Sequence, residues 1–389
     1  MVASCVIAYR VPKPAGGVDG RPTGCSRDDR ANARPTEESV SARQAPASRT
    51  VHVHQMIRPF LTGIKENLIY VVVASLVAGL AFGQVAGSGT KALLRAAVVP
   101  ILFLMIYPMM INIDLREVIN VRDHAGPVGL SLLINFGAAP LFAVALSRGF
   151  FGGDIEYAVG LYFIALIPTS GMTAAWTGLA DGDLEAALVA MAVNLLAAIV
   201  ILPAYLSVLV PADIGFDPSA LYRQLAQVVV IPMAAGTVTR WLLLRRYSTA
   251  GFKRLKPLFG GLSSLGVMLI VFVAMTMQSG QILADPVASA VTVVPLVVFY
   301  AAVLGVAAAA GRTLLDPRRG VALVYATSMR NLSIALAIVV AGDAVPSGAV
   351  LPIALAYVIQ PPLGAVYMHY RRDVVGEGRS LREAVAEFI

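Results

Sequence analysis

Apolar segments of about 20 residues recur along the chain from Glu66 onward, and each is long enough to cross roughly 30 Å of hydrocarbon as an α-helix. Of the 389 residues, 58% are hydrophobic and 14% are charged, whereas a soluble domain carries about 25% charged residues. A soluble core cannot bury this much apolar surface. We therefore predict an all-α polytopic membrane protein of ten transmembrane helices. The predicted spans are 66–84, 92–112, 127–147, 156–178, 184–209, 219–242, 258–279, 289–310, 319–341 and 347–369.

Basic residues are concentrated in alternate connections between these spans. The positive-inside rule places those connections and both termini on the cytoplasmic side of the membrane. We predict that this membrane is the plasma membrane. The connection Asp181–Asp183 is an exception, because it falls on the same side without a Lys or Arg. The net charge of +7 follows from this topology, so we predict a lipid bilayer and no nucleic acid as partner. The basic segments lie at Arg58–Lys65, Arg116–Arg122, Arg245–Lys256, Arg312–Arg319 and Arg371–Arg382.

The spans divide into two halves. Residues 1–55 lack apolar periodicity and are predicted to be a disordered tail, and residues 371–389 a cytoplasmic one. Residues 56–211 and 212–370 then hold five spans each. Because five is odd, the second half enters the membrane in the opposite orientation, which is the inverted-repeat arrangement of many secondary transporters.

The fourth span is interrupted near its centre. Pro168 lies 12 residues after Glu156 and 13 before Asp181, and it removes a backbone donor from the helix. Hydroxyl residues and a glycine follow it directly. Carbonyls freed at this depth must face protein or a wet cavity. The alternative is a proline kink satisfied by Ser and Thr side chains.

The ninth span carries a charge at the same relative depth. Arg330 lies 11 residues from Arg319 and 13 from Asp343, roughly 17 Å from the nearer end. An Arg at mid-membrane costs about 2.5–3.5 kcal/mol on the mildest scale. It either faces a site or is a structural Arg bonded to carbonyls of a neighbouring helix. At a site, it pairs with an anionic substrate or takes the place of a bound cation.

These two interruptions supply the candidate substrate site, and three mid-span amides supply further contacts to an ion or substrate. The site residues are Pro168, Thr169, Ser170, Gly171, Met172, Thr173, Thr327, Ser328, Met329, Arg330 and Asn331, with Asn135, Asn194 and Gln360 as secondary candidates.

Enzymatic and metal chemistry lack the residues they need. Both cysteines, Cys5 and Cys25, lie in the predicted tail, and no histidine is deep in a span. The sequence has no pair of mid-membrane Asp residues that could form an aspartyl dyad. It also has no phosphate-binding GxxxxGK[ST] loop. We predict no enzyme, no metal and no cofactor.

Three stretches resemble the bile acid/sodium symporter superfamily, and within it the arsenite efflux permease family, over roughly residues 60–370. They are LMIYPMM in the second span, WTGLADGD from Trp176 in the fourth, and SMRNLSIALA from Ser328 in the ninth. The resemblance implies ten spans in inverted repeats, a panel domain and a core domain, and broken helices four and nine that cross at the midplane. Aligned on WTGLADGD, the permease cysteine corresponds to Thr169, and no Glu stands beside Arg330 in helix nine.

We therefore predict a secondary transporter that moves a small solute, preferably an anion, by alternating access. Metalloid efflux without the cysteine is the first alternative. Sodium-coupled organic anion symport and a non-transporting receptor are the others. Both H⁺ and Na⁺ stay open as coupling ions, and the sequence leaves the oligomeric state open.

Overall fold

The fold is known from a computed structural model, which describes residues 68–152, 154–210, 217–284, 286–341 and 345–372. The predicted tail 1–55 and nearly all of 371–389 lie outside these residues. The described residues form helices and turns without a β-strand. We number the helices α1 Leu68–Val85, α2 Ser88–Asn112, α3 Ala125–Phe150, α4 Ile155–Leu166, α5 Met172–Leu179, α6 Leu184–Leu209, α7 Ser219–Tyr247, α8 Thr249–Gly280, α9 Ser289–Leu314, α10 Pro317–Ser328, α11 Leu332–Ala341 and α12 Val350–Arg372.

Seven of the helices are long and apolar enough to cross a membrane, namely α2, α3, α6, α7, α8, α9 and α12. Each coincides with a predicted span. The first, fourth and ninth predicted spans coincide instead with shorter apolar helices, whose apolar parts are Tyr70–Val85, Ile155–Leu166 and Leu332–Ala341. The fourth is divided into α4 and α5 and the ninth into α10 and α11, at the two positions where the sequence predicts an interruption.

Helices α7 and α8 are separated by a single residue, and the chain reverses direction between them. Gly236 packs on Met110 and Gly266 packs on Met105. A straight helix would separate these two glycines by about 45 Å (30 residues at 1.5 Å), whereas the two methionines are about 7.5 Å apart on α2. The guanidinium of Arg240 also lies over a ring 12 residues further on. The two helices are therefore an antiparallel pair.

The helices pack in two groups. In the first group, α2 packs on α7 and α8, and α1 packs on α8. Glycines let α1 approach closely: a Cβ added to Gly83 would lie 2.2 Å from Ser279 Oγ, and Thr276 Oγ1 donates to Gly79 O at 3.1 Å. The second group contains α3 to α6 and α9 to α12, and the two interruptions lie inside it.

The short helices around the interruptions are enclosed by protein. Every residue from Tyr157 to Ser170 and from Gly320 to Leu332 is buried. A helix that is apolar on all sides is stable only when other helices or lipid surround it. Here other helices surround these segments, including α2 of the first group beside α11, so the interruptions lie in protein rather than in the hydrocarbon.

The connection Asp181–Asp183 contacts basic residues in the first turn of α10. Asp183 Oδ2 lies 3.7 Å from Arg319 Nε, and Arg318 Nε donates to Asp181 O at 3.3 Å. The backbone N–H of Asp183 donates to Arg318 O at 2.9 Å. This acidic connection therefore lies against the basic N-terminal turn of α10.

Candidate functional site

The first interruption is an extended segment between two short helices. α4 ends at Leu166, and Ile167 has the extended backbone angles φ −68° and ψ 141°. α5 begins at Met172, whose N–H donates to Ser170 Oγ at 3.3 Å. Pro168 cannot donate to the α4 ladder, so the helix stops there.

The second interruption has the same form. α10 ends at Ser328 and α11 begins at Leu332. Asn331 caps α11, because its Oδ1 accepts a hydrogen bond from the N–H of Ile334 at 3.3 Å. An asparagine that looks like a substrate contact in the sequence thus has a structural use here.

The two extended segments pair with each other. The N–H of Ser170 donates to Met329 O, and the N–H of Asn331 donates to Pro168 O, both at 2.8 Å. Thr169 and Arg330 lie opposite each other in the resulting antiparallel bridge. Because directly opposed residues of an antiparallel pair extend to the same face, these two side chains lie side by side.

The guanidinium of Arg330 is anchored at one edge. The residue is 1% exposed, and its Nη1 donates to Ala165 O at 3.0 Å and to Ile167 O at 3.5 Å. Its central carbon lies 6.0 Å from the centroid of the Phe299 ring, within the range of a cation–π contact. These contacts match the structural alternative, in which Arg330 binds carbonyls of a neighbouring helix.

The other edge of the same guanidinium is free. Nε and Nη2 of Arg330 are buried, and neither has a hydrogen-bond partner among the described residues. None of the ion pairs in this part of the chain includes Arg330. Nε–H and one N–H of Nη2 point the same way and form the fork that binds a carboxylate or oxyanion with two hydrogen bonds. The guanidinium therefore has one edge that no described residue satisfies.

Gln360 fixes the backbone of Arg330. Its Oε1 accepts the N–H of Arg330 at 2.8 Å and the hydroxyl of Tyr300 at 3.0 Å, and its Nε2 donates to Arg330 O at 3.1 Å. Gln360, a predicted contact of ion or substrate, thus pairs with both backbone polar groups of Arg330 and holds that residue in place.

The remaining predicted hydroxyls have protein partners, with one exception. Thr173 Oγ1 donates to Tyr325 O at 3.1 Å. Thr327 and Ser328 donate to carbonyls of their own helix at 2.7–3.0 Å. Thr169 Oγ1, in contrast, is buried without a partner among the described residues. The free groups of the two interruptions are therefore the hydroxyl of Thr169 and the fork of Arg330.

Gly171 and Met172 form the more accessible side of the first interruption. Gly171 is exposed, and a Cβ added to it would meet nothing within 4 Å. Met172 is partly buried against the core. Space thus adjoins the first interruption at this end.

Asn135 and Asn194 bind each other away from the fork. Asn135 Nδ2 donates to Asn194 Oδ1 at 2.8 Å and to Ala326 O at 3.1 Å, and Asn194 Nδ2 donates to Ser131 Oγ and Ala190 O, both at 2.8 Å. Asn135 lies in a single π-helical turn of α3, Ile134–Ala138, a feature that is frequent at functional sites. Its Oδ1 is unpartnered in the described residues.

Some groups of the site carry no signal in the sequence. The acceptors for Arg330 are main-chain carbonyls of Ala165 and Ile167, whose side chains are apolar. Pro168 is their indirect signal, because a helix that stops there leaves the last carbonyls unpaired. Phe299 is one of many apolar residues of α9, and nothing in its spacing indicates a contact with Arg330.

Comparison with known proteins agrees with this architecture. Residues 99–285 match the model of the sodium bile acid symporter family. The predicted resemblance to the bile acid/sodium symporter superfamily is confirmed. The residues matched to the superfamily include the first interruption and end before Arg330.

The curated relatives agree with the superfamily and with the predicted branch. The arsenical-resistance protein Acr3 of Alkaliphilus metalliredigens is 25% identical over 250 residues, which are 58% of this chain and 69% of the relative. Acr3 of Corynebacterium glutamicum is 22% identical over 250 residues, 61% of this chain and 67% of the relative. The uncharacterized protein YbaS of Bacillus subtilis is 26% identical over 260 residues, 66% of this chain and 82% of the relative. These similarities and the apolar helices together support a multi-pass membrane transporter of the superfamily type.

Proposed function

We propose that this protein moves a small carboxylate- or oxyanion-containing solute across the plasma membrane as a secondary transporter with alternating access. The observation that carries the proposal is the unpartnered Nε–Nη2 fork of the buried Arg330. A buried guanidinium edge without a partner is costly, and an anion that binds there through two charge-assisted hydrogen bonds removes that cost.

The other groups beside the fork suit an anion as well. The hydroxyl of Thr169 is free to donate a third hydrogen bond. The N-termini of α5 and α11 begin at the two interruptions, and helix N-termini favour negative charge. The proposed binding residues are therefore Thr169 and Arg330, and the rest of 168–173 and 327–331 holds them in position.

The proposed topology has ten crossings in two inverted repeats, with both termini in the cytoplasm. Seven helices of spanning length and three shorter apolar ones support ten crossings. The division of the fourth and ninth predicted spans at equivalent places, one in each half, supports the inverted repeat. Their paired interruptions would then lie near the midplane of the bilayer.

An uptake panel in proteoliposomes tests the proposal. Purified protein is assayed with labelled small carboxylates and inorganic oxyanions, with and without gradients of Na⁺ and H⁺. We expect uptake of at least one anion, and we expect Arg330→Ala to abolish it without preventing membrane insertion. Arg223→Ala is the matched control, because Arg223 is an exposed arginine of a surface ion pair. Unchanged uptake by Arg330→Ala would remove Arg330 from the mechanism.

Metalloid efflux is the second candidate function, and the names of the two Acr3 relatives favour it. In metalloid efflux, the Thr169 hydroxyl would take the place of the cysteine that the resemblance to the arsenite permeases aligns with this position. Expression in an arsenite-sensitive host separates the candidates, since protection supports metalloid export and its absence supports the anion.

A further inference from the structure

The C-terminal end of α4 presents acceptors that need a positive partner. Its last carbonyls would normally bond to N–H groups four residues further on. The N–H groups of Thr169 and Gly171, four residues after Ala165 and Ile167, make no backbone bond to those carbonyls among the described residues, and the N–H of Ser170 is taken by Met329 O. A helix C-terminus also carries a partial negative charge of about half an electron. The end of α4 is therefore a site at which a cation is stabilised.

In transporters with broken helices, such carbonyls and helix C-termini coordinate the coupling Na⁺. In this protein a side chain reaches them. Nη1 of Arg330 donates to Ala165 O and Ile167 O. Ala165 is the second-last residue of α4, and Ile167 directly follows its last residue. The guanidinium is 1% exposed, so it comes close to the carbonyls without water between them.

We infer that Arg330 is a built-in cation, meaning that its guanidinium supplies at the end of α4 the positive charge that a bound Na⁺ would otherwise supply. The protein consequently folds and binds its solute without Na⁺, and Na⁺ gains no coordination site at this helix end. The inference uses the Nη1 edge of the guanidinium, whereas the proposed anion uses the Nε–Nη2 edge. It therefore holds or fails separately from the proposed substrate.

The thermal stability of the purified full-length protein in detergent tests the inference. The melting temperature Tm is measured in NaCl and in N-methyl-D-glucamine chloride of equal ionic strength, for the wild type and for Arg330→Ala. We expect the wild type to have the same Tm in both salts. We expect Arg330→Ala to melt lower, and Na⁺ or millimolar guanidinium to raise its Tm by about 2–4 °C, because a free cation then binds to the vacated carbonyls.

Two results would overturn the inference. One is a wild-type Tm that rises in NaCl relative to N-methyl-D-glucamine chloride. The other is an Arg330→Ala protein whose Tm responds to neither Na⁺ nor guanidinium. If Arg330→Ala cannot be obtained folded, Arg330→Gln is measured in the same salts with the same expectation, because glutamine keeps a donor but has no charge.

Arg330→Lys separates this inference from the proposed function. An ammonium group can bind the two carbonyls as a cation, but it lacks the planar fork for an anion. We expect this variant to keep a Tm that is independent of Na⁺ and to lose anion uptake at least 10-fold. Full uptake by Arg330→Lys would contradict the proposed anion-binding fork and leave the built-in cation unaffected. A Na⁺-dependent Tm of this variant would contradict the built-in cation and leave the fork unaffected.

Discussion

Thr169 and Arg330 lie directly opposite each other in the antiparallel bridge that joins the two helix interruptions. They are also the residues of the two interruptions whose side chains keep unpartnered polar atoms in the described part of the chain. The flanking backbone bonds, Ser170 to Met329 and Asn331 to Pro168, fix how the two side chains face each other. The bridge thus puts the two residues on the same face of the paired segments, and this pair is the basis of the first prediction.

Replacing Thr169 with Val removes the free hydroxyl and keeps the side-chain shape. We expect the KM for the transported anion to rise about 10-fold, because a hydrogen bond to a charged group contributes about 1.5–3 kcal/mol. Tm should not fall, since Thr169 Oγ1 has no protein partner among the described residues. The matched control is Thr173→Val, which removes a bond to Tyr325 O and should lower Tm. A fall in Tm for Thr169→Val would contradict a free hydroxyl.

Replacing Gln360 with Leu leaves the backbone N–H and C=O of Arg330 without their side-chain partner. The N–H of Arg330 keeps Ser328 O and its carbonyl keeps the N–H of Leu332, so each lost hydrogen bond costs about 0.5–1.5 kcal/mol. We expect a lower Tm together with reduced uptake. Tyr300→Phe is the control, because it removes one hydrogen bond to Gln360 and leaves both bonds to Arg330. Thermal melts and uptake rates measure both variants. Equal losses in the two would show that Gln360 does not act through the Arg330 backbone.

Asn194 is predicted to stabilise the second packing group rather than to bind solute. Its amide makes three hydrogen bonds, one to each of Asn135, Ser131 and Ala190. We expect Asn194→Ala to lower Tm with little change in the KM of the protein that remains folded. A double-mutant cycle with Asn135→Ala should give a coupling energy of about 1 kcal/mol in unfolding. A raised KM without loss of stability would instead place Asn194 at the solute.

Glycine-to-alanine substitutions should have opposite effects in two helices. A Cβ at Gly83 would meet Ser279 Oγ at 2.2 Å and Thr276 O at 2.6 Å, so Gly83→Ala must push α1 away from α8. We expect its Tm to fall. At Gly129 of α3 nothing lies within 4 Å of the added Cβ, and Ala favours a helix over Gly by about 1 kcal/mol. Gly129→Ala should therefore leave Tm unchanged or raise it, and a similar fall in both variants would contradict the packing described for α1.

The sequence alone indicates the helices and the positions of both interruptions. Apolar runs of spanning length are a strong signal. Pro168 ends a helix whatever its neighbours are, and Arg330 marks a charge at the middle of another apolar run. The pairing of the two interruptions is less visible, because it consists of main-chain bonds between residues about 160 positions apart. The resemblance to the symporter superfamily implies that the two broken helices cross, whereas local sequence patterns do not indicate this crossing.

The use of each side chain could be predicted only in part. Asn331, Gln360 and Thr173 look like solute contacts because they are polar and lie in apolar helices. The structure employs them as a helix cap, a backbone partner and an interhelical bond. A polar residue in a membrane span must be satisfied somewhere, and one sequence does not tell whether the partner is protein or solute. One edge of the Arg330 guanidinium binds protein carbonyls, and the other edge has no partner among the described residues. The structural interpretation of Arg330 therefore describes the first edge, and the site interpretation concerns the second.

The hydrogen bonds between the interruptions have a mechanical consequence. Each extended segment satisfies main-chain groups of the other, so sliding α4 and α5 past α10 and α11 would leave several peptide groups bare in a dry interior. The cost of that separation ties the four short helices into one mobile unit. In the alternating access that we propose, motion between inward- and outward-facing forms would take place where this unit meets the group of α1, α2, α7 and α8, and the solute would move with the unit.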